Sequence, residues 1–108
     1  MSYFIELLRA IWNRIKRFFV KVLNFVKNIV SFFKNPRIFN KLVNNNDLIA
    51  VSIKEKLNDG NFRVVNCLYD EITEDVTDIE TETIGIEAEN LDKETKRHFG
   101  NKDMIVLN

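Results

Sequence analysis

Residues 4–33 read FIELLRAIWNRIKRFFVKVLNFVKNIVSFF, and the period of their apolar positions decides how the chain is read. Phe4, Leu8, Ile11, Ile15, Phe18, Val22, Phe25, Ile29 and Phe32 recur alternately four and three residues apart. A second row, Ile5, Trp12, Phe19, Val26 and Phe33, lies one residue further round. Together the rows predict a broad apolar stripe on one long α-helix, with Arg14, Arg17, Lys21 and Lys27 on its other side. No glycine or proline interrupts it, and Asn35-Pro36 supplies a stop, because the residue before a proline avoids the α region. At 1.5 Å per residue such a rod is about 45 Å long. That is more apolar length than a body of about sixty residues can cover.

Charge follows the same division. Residues 1–42 carry nine Lys and Arg against one acid, Glu6, a formal +8. The other sixty-six residues carry seven cations and fifteen acids, a formal −8, so the net charge of zero conceals a basic arm and an acidic body. A basic half of this kind calls for an anionic partner: a membrane surface, a nucleic acid or an acidic protein. Trp and Phe on one helix face with Lys and Arg on the other is the pattern of a helix lying in a membrane interface. The longest apolar run in the arm is three residues, Phe18 to Val20, so a membrane-spanning helix is not expected. Nucleic acid is the weaker reading, since a groove-reading basic helix has no need of a continuous Phe-rich face. A helical protein partner or a second copy of the chain, packed on the same stripe, is the alternative to lipid.

Downstream, residues 37–43 suit one or two helical turns, and Asn44-Asn-Asn-Asp47 marks a loop. Residues 48–57 satisfy both periods. Ile49, Val51 and Ile53 alternate as a strand would, but Ile49, Ile53 and Leu57 also share a helix face, and Gly60 stands where a helix would end. The balance favours helix. Phe62 to Tyr69 predicts a buried strand, and Ile84, Ile86 and Ala88 a second, with a late start or a bulge near Gly85. Residues 91–100 predict a short helix with Asp92 as its N-cap and Gly100 as its stop. Met104 to Leu107 predicts a final strand docked in the sheet. The expected fold is α+β: a long N-terminal amphipathic helix, then a small, mainly antiparallel sheet with one or two short helices. The expected divisions are an arm at 1–36, a connector at 37–47 and an acidic domain at 48–108.

No reaction is legible. Cys67, the only cysteine, lies in an apolar run and reads as a buried structural thiol. His98, the only histidine, reads as a helix-terminal residue facing the dipole. The acids of residues 70–82 lack the glycine and ligand spacing of a calcium loop, and three scattered glycines make no phosphate loop. The expectation is therefore a non-enzymatic accessory or adaptor protein without metal, cofactor or small-molecule substrate. It would be cytoplasmic and peripheral to a membrane, presenting its acidic domain to a protein partner. The expected contact residues are Trp12, Phe18, Phe19, Phe25, Phe32 and Phe33 as apolar anchors, with Arg14, Lys16, Arg17, Lys21 and Lys27 as anion contacts.

Overall fold

A computed structural model describes residues 2–107. The chain runs α1 (Tyr3–Ile11), a short 3-10 turn (Trp12–Arg14), β1 (Lys16–Leu23), a π-helical segment (Phe25–Val30) continuing into α2 (Ser31–Lys34), and α3 (Pro36–Asn44). It continues through β2 (Leu48–Lys56), β3 (Phe62–Asp70), β4 (Asp75–Val76), β5 (Ile84–Leu91), α4 (Lys93–Phe99) and β6 (Met104–Val106). The strands form one sheet in the order β1-β5-β3-β2-β6, with β4 paired to the end of β3. Only β1 and β5 are parallel; the remaining pairs are antiparallel. The fold is thus α+β with a mainly antiparallel sheet, as its sequence implied.

Alternation along the central strands makes two cores. Ala50, Val64, Leu68, Ile86 and Ala88 point to one face, where Phe25, Ile29, Phe33, Ile38 and Phe99 cover them. Val51, Ile53, Val65, Cys67 and Tyr69 point to the other, beneath Leu8, Ile11, Trp12 and Ile15. Because both faces are buried, β2 and β3 read as nearly continuous apolar runs rather than as clean alternations. Local chemistry sets several ends. Ser2 Oγ accepts from the Ile5 N–H at 3.2 Å and caps α1. Asn35 caps α3, accepting from the Arg37 N–H at 3.0 Å, with Pro36 at the first helical position.

The single long helix is overturned. Residues 4–33 are broken into α1, the 3-10 turn, β1, the π-helical segment and α2. The physical reason is coverage: one straight rod buries its stripe against one surface, whereas the folded arm delivers apolar side chains to both faces of the sheet. Residues 16–23, KRFFVKVL, are rich in aromatic and β-branched types and pair with β5 along their length. The helix expected at 48–57 is corrected too. It is β2, paired from Leu48↔Asp70 to Lys56↔Phe62, and residues 57–61 form the hairpin turn, with Gly60 at φ +94°. The short helix at 37–43, the strand at 62–69, the late start of β5, the Asp92 cap, the Gly100 stop and the docking of the final strand all agree with the sequence reading.

Gly85 carries no bulge; its pairing register is continuous on both sides. It is instead a site of close approach. A Cβ there would stand 2.7 Å from Trp12 Cζ3 and 2.9 Å from Ile15 Cδ1. Gly85→Ala is therefore expected to destabilise the protein by about 1–3 kcal/mol through overpacking. Urea unfolding measures this, and an unchanged midpoint would mean that the Trp12 ring is free to shift away.

Candidate interaction surface

β1 is an edge strand of eight residues, and among the described residues no strand pairs with its outer side. The opposite edge, β6, has three residues. The register with β5 sets β1's two faces. Arg17, Phe19 and Lys21 share the α1 side with Gly85 and Glu87, while Phe18, Val20 and Val22 share the helical side with Ile86 and Ala88. Neither layer extends fully over this edge, so Phe18 stays 39%, Phe19 55% and Val22 51% exposed. Val26, just beyond the strand, is exposed as well.

The expected contact residues separate into two groups. Lys16, Arg17, Phe18, Phe19 and Lys21 come together on β1, with Lys27 exposed in the segment that follows. Trp12, Phe25 and Phe33 go into the cores, at 5%, 5% and 7% exposure. Phe32 is half-buried and packs edge-on against Phe33 at 5.0 Å. Phe25 stacks on His98 with ring centroids 4.0 Å apart, which gives the only histidine a packing role. Arg14 turns toward the acidic segment and pairs with Glu80 at 3.2 Å.

Two residues of this surface had no signal in their own neighbourhood. Arg63 of β3 and Glu87 of β5 join Trp12, Arg17, Phe18 and Phe19 around an open hollow of about 380 Å³. The Arg63 guanidinium lies 4.7 Å and that of Arg17 5.9 Å from the Trp12 ring centre, both cation–π contacts. Glu87 is occupied, accepting from Asn61 Nδ2 at 3.1 Å and lying 3.5 Å from Arg63 Nε. Lys16, Lys21 and Lys27, among the described residues, form no ion pair. The edge is therefore basic and aromatic, with Glu87 of β5 in register with Phe19 and Glu89 next on the same face.

Asp92 holds the far end of β1. Its N–H donates to the Leu23 carbonyl at 2.9 Å, and its carboxylate accepts from the Phe25 N–H at 3.0 Å and the Thr95 N–H at 2.9 Å. Burial pushes this carboxyl up, but the hydrogen bonds from the Thr95 hydroxyl, the Phe25 N–H and the Thr95 N–H together hold it below the ordinary aspartate range. Asp78 is lowered as well, first by its hydrogen bond from Lys41, 2.7 Å away. A depressed carboxyl stabilises the fold above its unfolded pKa, and that stability disappears as pH falls through the folded value. The urea midpoint is expected to hold from pH 7 to about pH 5 and to fall below about pH 4. Asp92→Asn should make that fall shallower; an identical acid profile would remove Asp92 from the account.

A second polar region lies at the acidic segment. Lys41 Nζ bridges Asp78 and the buried Glu82, the latter at 2.6 Å, and Arg37 donates to the Thr81 carbonyl at 2.9 Å. Basic residues of the first forty-two thus neutralise part of the acidic cluster. The Cys67 thiol is fully buried and pushed up to about 12 by that burial, so it is no nucleophile in the folded chain. Among the described residues no three His, Cys, Asp or Glu side chains are grouped to hold a metal ion. Among them also, no helix is long and apolar enough to cross a membrane. Comparison with protein-family models, curated proteins and solved structures gives no match to this chain.

Proposed function

We propose that this chain is a non-enzymatic accessory protein that docks an anionic protein partner along its basic edge strand, β1. One observation carries the reading: Lys16, Arg17 and Lys21 lie among exposed Phe18, Phe19 and Val22 on an unpaired eight-residue edge. Long exposed edges with apolar side chains are aggregation hazards, and proteins usually shorten them, cover them or guard them with lysine. This one is guarded but neither short nor covered. A basic surface steers acidic partners toward it, and that steering weakens with salt. The buried Cys67 thiol supplies no competing nucleophile.

An anionic membrane surface is the second reading. Exposed Phe18, Phe19, Val22 and Val26 beside the same lysines favour it, since interfacial binding adds apolar insertion to lysine attraction. The burial of Trp12, Phe25 and Phe33 weighs against it, because those rings are unavailable for insertion unless the fold opens. The test is binding of the whole chain to polyglutamate and to phosphatidylserine vesicles at low and high salt. Saturable, salt-sensitive binding to polyglutamate, weakened at least tenfold by Lys16→Glu plus Lys21→Glu, is the expected result. Vesicle binding without polyglutamate binding would replace the first reading by the second. Binding to neither, or no effect of the charge reversals, would overturn both.

A further inference from the structure

We infer that β1 is completed by β-strand addition, and that the segment it receives is an extended peptide alternating acidic and apolar residues. This rests on the proposed function and specifies the partner's conformation and pattern. The backbone favours the conformation: among the described residues the outer side of β1 has no strand partner, so alternate residues of its eight present N–H and C=O groups outward, and an added strand pairs them in register.

The two faces of β1 differ, and the difference sets the pattern. On the α1 side the order is cation, aromatic, cation: Arg17, Phe19, Lys21. On the helical side, past Lys16, it is apolar: Phe18, Val20, Val22. Residues opposite one another on paired strands share a face, and successive residues take opposite faces. A matching strand therefore places acids beside Arg17 and Lys21 and apolar side chains beside Phe18, Val20 and Val22. Its sequence must alternate acid and apolar.

The hollow beside Phe19 extends the α1 side. It is lined by Trp12, Arg17 and Arg63, and its single acid, Glu87, already holds two partners, so it suits a carboxylate reaching past the strand. A second copy of the chain is the disfavoured occupant. Antiparallel pairing of β1 with its own copy about Phe19 sets Arg17 against Lys21 twice, with no acid on either strand. Like charges across a sheet edge repel, and lysine on an edge is the usual device against self-pairing.

The experiment uses the whole chain and four acetylated, dye-labelled octapeptides read by fluorescence anisotropy at low salt. One is (Glu-Val)4; one has the same composition as a block, Glu4Val4; the other two are (Glu-Val)4 with alternate backbone nitrogens methylated, one on each edge. The alternating peptide is expected to bind at least tenfold more tightly than the block. Methylation of one edge should abolish that advantage, and methylation of the other should leave it. Lys21→Glu, and separately Arg17→Glu plus Lys21→Glu, should each weaken binding without moving the urea midpoint by more than a few tenths of a molar. Equal binding of the alternating and block peptides, or indifference to methylation on both edges, would overturn strand addition. If the lysine variants still lost binding then, docking on the basic edge would stand. Loss of neither would remove both. A dimer of the chain alone in sedimentation, disrupted by a β1 variant, would overturn the choice of occupant.

Discussion

Asn66→Asp is expected to cost about 3–5 kcal/mol at neutral pH, because it leaves a charge buried without a counterion. Asn66 is fully buried in the middle of β3. Its side-chain oxygen accepts from Ser52 Oγ at 2.9 Å, and its Nδ2 donates to the Asn28 carbonyl at 2.9 Å. Ser52 is its cross-strand partner on β2, and Asn28 lies in the π-helical segment above, so one amide ties two strands to the covering layer. A carboxylate keeps the Ser52 bond but confronts the Asn28 carbonyl with a second acceptor. Protonated, it can donate to that carbonyl and restore the network. Its folded pKa therefore lies above the unfolded one, and stability is recovered below the unfolded value and lost as pH rises through the folded value. Urea unfolding at pH 7 and pH 4 should show the gap between parent and variant narrowing in acid. A variant as stable as the parent at pH 7 would mean that water reaches Asn66.

Phe99→Ala is the second large loss, about 3–5 kcal/mol by the usual cost of emptying an aromatic core site. Phe99 is 1% exposed and ends α4, where Gly100 at φ +56° turns the chain away. Its ring packs in the core with Phe25, Ile29, Leu91 and Ala88, and the Lys54 ammonium stands 5.4 Å from its centre. The turn after it returns the chain to β2, where the Lys54 N–H donates to the Asp103 carbonyl at 2.8 Å. Losing the ring thus loosens both α4 and the seating of β6. For a domain whose whole stability is 5–15 kcal/mol, a loss of this size lowers the melting temperature by on the order of 15 °C or more. The readout comes from the opposite face. Trp12, the only tryptophan, is buried under α1 beyond the sheet, so its fluorescence reports a layer that Phe99 does not touch. The Trp12 transition should move down together with the circular-dichroism transition. If it stayed in place, the two layers would unfold independently.

Much of the fold was legible where local chemistry and burial agree. Val64 to Tyr69 is β-favouring and buried on both faces, and it is β3. Asp92, with three hydrogen bonds, and Gly100, in the left-handed region, bound α4 as their residue types imply. Residues 48–57 misled because Ile49, Ile53 and Leu57 satisfy a helical period by coincidence, and only the partner strand decides between the two periods. Within residues 4–33 the helical stripe succeeds at its ends and fails in its middle. Leu8, Ile11, Trp12, Phe25, Ile29 and Phe33 are buried as a stripe requires, while Phe18, Phe19, Val22 and Val26 are exposed. The break coincides with β1 and the residues just after it.

Composition and local pattern by themselves determined that this chain has a basic, aromatic first third, an acidic remainder, an α+β body and a halt at Asn35-Pro36. Those properties belong to residues and their near neighbours. That residues 16–23 are a strand, and that their lysines stand on a free edge, was decided only by tertiary structure. A helix closes its hydrogen bonds within four residues, whereas β1 closes its own on β5, sixty-eight positions away in register from Lys16↔Ile84 to Leu23↔Leu91. No local window contains that partner, nor the Gly85 surface that admits Trp12 beside it.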